Sequence, residues 1–249
     1  MKWLRHLARP CLFAALVAIA GTAAAGDARA RYQEHCAACH GETRLGGVGP
    51  ALLPENLERL RKPEALNVIR DGRVATQMPG FSEKLSSDEL QQLAEWIYTP
   101  VVPAPVWGEN EIRASHVVDA AAAGLPRRPG RGLKGADPLN LFIVVETGDH
   151  HVSVLDGDKL ERLHRFPSRY ALHGGPKFSP DGRFVYFASR DGWISKFDLY
   201  NLVVVAEVRA GLNTRNAAVS SDGEWVLVAN YLPHSLVLLD AADLPRPGN

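Results

Sequence analysis

The stretch Cys36-Ala37-Ala38-Cys39-His40 constrains this chain more than any other. Two thiols on one short turn, followed at once by an imidazole, form the attachment pattern of a c-type haem in an exported protein. Cys36 and Cys39 are predicted to form thioethers with the porphyrin, and His40 to be the proximal iron ligand. The alternatives are a disulfide or a zinc site, but zinc takes four ligands and no second cysteine pair exists. We therefore predict one covalent haem c.

Residues 1–25 are predicted to be a signal peptide. A basic leader precedes an apolar run over residues 11–20, which is too short to span a bilayer. Ala23-Ala24-Ala25 is suited to a signal peptidase, and Ala28-Arg29-Ala30 is a second possible site. An uncleaved anchor is the alternative. Cleavage leaves the haem-attaching pair as the only cysteines, in a periplasmic protein without a membrane span.

Residues 26–99 are predicted to form an all-α cytochrome c domain. The loop after His40 is rich in glycine and proline, which suits a segment lying against a flat porphyrin edge. Residues 54–61 and 63–70 have the apolar spacing of two short helices. A last helix begins at a capping box between Ser86 and Glu89 and carries an apolar stripe on one face.

The predicted sixth iron ligand is Met78. A thioether opposite histidine raises the reduction potential, and Pro79 and Gly80 allow this segment to turn inward. A lone methionine is also a common core residue. The rival ligand is a histidine such as His116, outside this domain.

Residues 100–136 are predicted to be a linker. Prolines punctuate its start, and residues 109–123 have a helical pattern. The basic segment 126–132 favours a solvated tether. The alternative is a basic edge that faces the carboxylates of a second cofactor.

From residue 137 to residue 249 the pattern changes to alternating β-branched and aromatic residues, and it repeats. One strand in each repeat ends in an aspartate, and successive aspartates are 42 residues apart: Asp156, Asp198 and Asp240. Hairpin turns occur at matching places, at 179–182 and 220–223. A period of this length is typical of a β-propeller blade.

The chain holds between two and three of these repeats, whereas propellers close with about four to eight blades. Since a blade cannot bury its faces alone, we expect this chain to be an N-terminal fragment with an incomplete propeller. Lys plus Arg number 28, as do Asp plus Glu, so the charge favours no nucleic-acid partner.

Two stretches of the repeats carry a resemblance to a known family. They are His173-Gly-Gly-Pro-Lys-Phe-Ser-Pro-Asp-Gly-Arg183 with Ala188-Ser-Arg-Asp-Gly-Trp193, and Val208-Arg-Ala-Gly-Leu-Asn-Thr-Arg-Asn216 with Ala229-Asn-Tyr-Leu-Pro233. They resemble the haem d1-binding propeller of the cytochrome cd1 nitrite reductase family, in which eight blades are expected. The His-Gly-Gly form and the attached cytochrome are most similar to the dihydro-haem d1 dehydrogenases of the haem d1 biosynthesis branch.

This resemblance implies a second, non-covalent cofactor or substrate, haem d1 or its dihydro precursor. His173 matches the proximal ligand of its iron. Arg190 and Arg215 match arginines near its carboxylates, which guanidinium forks bind well. Lys177 is a further candidate charge. The distal-side histidines of the family lie in later blades, so no catalytic residue is assigned and enzymatic activity of this chain is left open.

The implied function is oxidation of dihydro-haem d1 to haem d1, with electrons passing to haem c and then to a periplasmic redox partner. Other haem d1 biosynthesis proteins or nitrite reductase are further candidate partners. Two alternatives stay open. One is a relative of cytochrome cd1 nitrite reductase, and the other is a simple electron-carrier cytochrome with a vestigial β appendage.

Overall fold

The computed structural model describes residues 27–244, so the predicted signal peptide lies outside the described residues. The helices are α1 (27–35), α2 (Ala37–His40), α3 (Lys62–Asp71), α4 (Ser87–Trp96) and α5 (Glu109–Ala114). The strands are β1 (Val117–Val118), β2 (Leu141–Glu146), β3 (His151–Asp156), β4 (Arg162–Pro167), β5 (Lys177–Phe178), β6 (Phe184–Ala188), β7 (Trp193–Asp198), β8 (Val203–Arg209), β9 (Asn213–Val219), β10 (Trp225–Leu232) and β11 (Ser235–Asp240). Within 27–244, no helix has the length and apolar character needed to cross a membrane.

Helix α4 begins where the sequence predicts. The main-chain N–H of Ser86 donates to the Glu89 carboxylate at 2.8 Å, and the Glu89 N–H donates back to the Ser86 hydroxyl at 3.4 Å. The predicted apolar stripe is buried: Leu90, Leu93, Ala94 and Ile97. This face packs with residues of α1 and α3 in the core of the N-terminal half.

The helix predicted over residues 54–61 is wrong, because those residues form turns. Pro63 lies in the first turn of α3, with Arg61 in an extended conformation as its N-cap. Proline favours that first-turn position, so a helix begins at Lys62 and does not extend back into residues 54–61.

The N-terminal half also contains a buried arginine, Arg44, at 4% exposure. Its guanidinium donates to the main-chain oxygen atoms of Trp96, Ile97 and Thr99 at 3.2, 3.2 and 2.7 Å. Its Nε donates to Leu52 O at 2.9 Å. Carbonyls at a helix C-terminus have no hydrogen-bond partner within the helix. Arg44 therefore supplies donors to the carbonyls at the end of α4, and these bonds hold the glycine-rich loop against that end.

The C-terminal half contains three antiparallel sheets, with strand orders β1-β8-β7-β6-β5, β2-β3-β4 and β11-β10-β9. The predicted β-rich repeats are therefore present, following a separate helical unit. The number of propeller blades stays a prediction, and so do the domain boundaries.

The repeated aspartates all make the same turn. Asp156, Asp198 and Asp240 end β3, β7 and β11. Each side-chain oxygen accepts the main-chain N–H two residues later, at 2.9, 2.9 and 2.7 Å. A short carboxylate stabilises a turn in this way, which explains why the residue recurs at the same place in each repeat.

The predicted linker lies against the β sheets instead of forming a free tether. Its helix ends at Ala114, earlier than the predicted residue 123, and Val117–Val118 pairs with β8. The basic segment is also held, because Gly130 N donates to Tyr200 O at 2.8 Å. These pairings favour an ordered connection, whose residues 126–129, 131 and 132 are nevertheless exposed to solvent.

The two halves meet through a small apolar cluster. Its buried members are Ala51, Leu53 and Leu212. Polar contacts flank it: Arg209 donates to Leu45 O, and Asn213 donates to Asn56 at 3.0 Å. Leu45 and Asn56 follow the haem-attachment motif in sequence, so this contact positions that motif against the sheets.

Candidate functional site

A cavity of about 580 Å³ lies between the two halves. Its lining includes most of the predicted site residues: Cys36, Cys39, His40, Met78, His173 and Arg190. Apolar side chains of the N-terminal half complete one side, among them Leu57, Ile69, Phe81 and Leu93. A mostly apolar cavity of this size with a few polar groups has the character of a cofactor site.

His40 is oriented by the loop that follows it. The imidazole is 7% exposed, and its Nδ1 donates to Pro50 O at 2.8 Å. A carbonyl only accepts, so the proton is on Nδ1 and the other ring nitrogen, Nε2, is free to bind a metal. A Cβ on Gly49 would lie 2.9 Å from His40 Cε1, so glycine is required for this close approach.

Cys36 and Cys39 do not form a disulfide in the structure. Burial raises the pKa of Cys36 to about 11, with a smaller contribution from Cys39. Nowhere in residues 27–244 do three or more His, Cys, Asp or Glu side chains form a metal-binding group. The described residues thus offer no set of ligands for the zinc alternative.

Met78 lies at the end of a loop whose base is closed by two glycines. A Cβ on Gly72, where φ is +78°, would lie 2.7 Å from Gly80 N. The loop is also closed by Arg73 N, which donates to Met78 O at 3.1 Å. Met78 is half-buried, packs against the N-terminal core and lines the cavity, as a sixth ligand must.

The rival ligand His116 is placed elsewhere. Its Nε2 donates to Asp243 O at 2.6 Å, and it does not line the cavity. The structure therefore favours Met78 over His116.

His173 lies on an exposed loop at the edge of the five-stranded sheet. Its main-chain N–H donates to Ala188 O at 2.7 Å, which fixes the loop. Its Nδ1 donates to Arg215 O at 3.2 Å. As with His40, a main-chain carbonyl holds one ring nitrogen and leaves Nε2 available.

The three cationic candidates have different environments. Arg190 lines the cavity together with His173. Arg215 is not part of the lining, and its guanidinium lies 5.7 Å from the centre of the Tyr231 ring. Lys177 donates to Gly174 O at 2.6 Å, so its charge holds the His173 loop.

Among the further polar residues that line the cavity, and that the sequence did not single out, are Arg73, His150 and Tyr170. Arg73 belongs to the Met78 loop, and His150 lies in the turn between β2 and β3. The Nδ1 atom of His150 is buried and has no hydrogen-bond partner among the described residues. Nothing in the local sequence marks these residues, because the fold alone brings them together.

Comparison with known proteins identifies both halves. Residues 136–246 match the family described as cytochrome D1 heme domain, and residues 23–97 match cytochrome C oxidase, cbb3-type, subunit III. A dihydro-heme d1 dehydrogenase of Pseudomonas aeruginosa is 62% identical over 89% of this chain and 45% of its own length. The chain is similar to members of the cytochrome cd1 nitrite reductase-like family. The predicted resemblance is thus confirmed.

A solved structure titled "Dihydro-heme d1 dehydrogenase NirN in complex with DHE" has a TM-score of 0.80 and 60% identity, covering 89% of this chain and 47% of that one. A nitrite reductase of Stutzerimonas stutzeri is 25% identical over 86% of this chain and 40% of its own length. The chain thus spans less than half the length of these relatives. The matches confirm the predicted pair of haem groups, haem c and a d1-type haem, at the level of the family.

Proposed function

We propose that this chain is a periplasmic electron-transfer unit that carries haem c on Cys36 and Cys39 and presents a d1-type haem at His173. The observation that carries the proposal is the shared cavity, since the attachment motif, Met78 and the His173 loop all line it. The similarity to a dihydro-heme d1 dehydrogenase over 89% of the chain supports the same assignment.

In this proposal, residues of the cytochrome half hold haem c. His40, whose proton is held on Nδ1 by Pro50, and Met78, whose glycine-closed loop places it in the cavity lining, would hold the iron of haem c. The chemistry that haem c supplies there is one-electron transfer. A soft thioether ligand together with an imidazole would favour the ferrous state.

The substrate of the reaction is dihydro-haem d1. Oxidation of one propionate side chain to an acrylate releases two electrons and two protons. Two successive one-electron transfers to an external periplasmic partner complete the reaction. His173 binds the macrocycle, and Arg190, which lines the same cavity, binds a carboxylate of it.

The test uses the full chain matured in a host that makes c-type cytochromes. A pyridine haemochrome spectrum should show one haem c per chain. Added dihydro-haem d1 should then bind and, in the presence of an electron acceptor, change its visible spectrum to that of haem d1. A colourless protein would refute the haem assignment. Binding without oxidation would restrict the chain to a carrier, and nitric oxide formed from nitrite would favour the nitrite reductase alternative.

A further inference from the structure

The Met78 loop and the turn between β2 and β3 meet at the boundary between the two halves. A Cβ on Gly148, in that turn, would lie 3.1 Å from Ala75 O in the loop. Arg73 and His150, each two residues away from this contact along the chain, both line the cavity. The close contact therefore brings side chains of both halves to one place at the cavity wall.

These side chains have no carboxylate partner in the protein. No ion pair or side-chain hydrogen bond of Arg73 or Arg190 occurs within the described range 27–244. His150 lies beside Tyr170, with ring centres 5.3 Å apart, and its buried Nδ1 makes no hydrogen bond to any described residue. A buried polar atom without a partner costs about 1–3 kcal/mol, so a ligand atom is expected opposite it.

Tyr170 connects the group. Burial raises the pKa of Tyr170, and the positive charges of Arg190 and Arg73 oppose that rise. Both guanidinium groups are therefore within electrostatic range of the phenol. The nearby Asp191 carboxylate also acts on Tyr170, but it is engaged by the Ser189 hydroxyl.

We propose that Arg73, His150 and Tyr170 form a carboxylate-binding cluster for a tetrapyrrole in this cavity. An imidazole, a phenol and a guanidinium, which all line the same cavity, suit a carboxylate better than any neutral group. The cluster joins a loop of the cytochrome half to a turn of the β half, so one bound carboxylate would hold the two halves together. The proposal rests on the proposed function, because both candidate carboxylates belong to haem groups.

The carboxylate has two possible sources, a propionate of haem c or a carboxylate of the d1-type macrocycle. The test uses the full, haem c-loaded chain with Arg73→Met, His150→Phe and Tyr170→Phe. His150→Asn is the rescue variant, since it keeps a donor and tolerates the positive φ of 58° at this position. Arg128→Met and His234→Phe, at exposed positions outside the cavity lining, are the matched controls.

Two measurements distinguish the sources. If the carboxylate is a propionate of haem c, Arg73→Met and His150→Phe lower the haem c reduction potential, because lost positive charge and hydrogen bonding stabilise the ferric state. If it belongs to the d1-type macrocycle, the potential is unchanged and the Kd for isolated haem d1 rises roughly tenfold or more. In both cases His150→Asn should lie closer to wild type.

The proposal is overturned if the three variants match the controls in both measurements while their pyridine haemochrome spectra show full loading. A wild-type chain without haem c would instead refute the proposed function itself, so the two failures are distinguishable.

Discussion

Replacement of Arg44 by methionine should destabilise the cytochrome half strongly. Methionine keeps the length of the aliphatic stem but removes the guanidinium that donates to four main-chain oxygen atoms and lies 4.7 Å from the centre of the Trp96 ring. Each buried carbonyl left unpaired costs roughly 1–3 kcal/mol. Thr99 is exposed and Trp96 is half-buried, so water can replace part of the loss. We therefore expect a decrease of about 3–5 kcal/mol in the free energy of unfolding.

The assay is guanidinium-induced unfolding of the haem-loaded full chain, followed by Soret absorbance. Arg29→Met, at an exposed position of α1, is the control and should change stability by less than about 0.5 kcal/mol. Arg44→Lys should fall between the two, because an ammonium lacks the planar fork that reaches several carbonyls at once. A loss below about 1 kcal/mol in Arg44→Met would refute this account of the α4 terminus.

The other predictions concern the ligands and one buried acid. Met78→Ala should abolish the sulfur-to-iron charge-transfer band at the red end of the visible spectrum and lower the haem c potential; an unchanged band would exclude Met78. His173→Ala should abolish haem d1 binding in an absorbance titration while haem c content stays at the wild-type level; retained binding would exclude His173. Burial raises the pKa of Asp191 from 3.8 to about 6. Between these two pH values, the folded protein therefore keeps a proton on Asp191 that the unfolded chain has lost. The stabilising contribution of Asp191 is thus present below pH 4 and is lost as the pH rises through 6. Asp191→Asn should not show this loss. In urea unfolding, its free energy of unfolding should therefore rise by roughly 3 kcal/mol relative to wild type between pH 4 and pH 7. A difference between variant and wild type that stays the same over this range would contradict the prediction.

The features that the sequence predicts correctly depend on residues close together in the chain. The capping box of α4 joins Ser86 and Glu89, three residues apart, and both of its hydrogen bonds form. The turn aspartates bind an N–H only two residues away. In each case the physical interaction and the sequence pattern cover the same short segment, so the pattern is sufficient to predict the local structure.

The errors arise where a distant partner decides the structure. Residues 109–123 contain many alanines and have good helical propensity, yet Val117 pairs with Glu207 in β8. A strand pairing across such a separation overrides a weak local preference. The burial of Arg44, a charged residue in a glycine-rich loop, also depends on a distant partner. Only the position of the α4 terminus explains its burial.

Histidine shows most clearly why a site needs the fold as well as the motif. His40, His173 and His116 were all candidate ligands on sequence grounds. In the structure, main-chain carbonyls bind Nδ1 of the first two, and Nε2 remains for iron. In His116 the carbonyl of Asp243 binds Nε2 instead. A ligand to iron must present an unprotonated nitrogen, and which nitrogen is unprotonated depends on the partner of the other one. Each of the three imidazoles keeps one unprotonated nitrogen, so His116 differs in its position outside the cavity that His40 and His173 line. The carbonyl that fixes His173 comes from Arg215, in a strand 42 residues further along the chain.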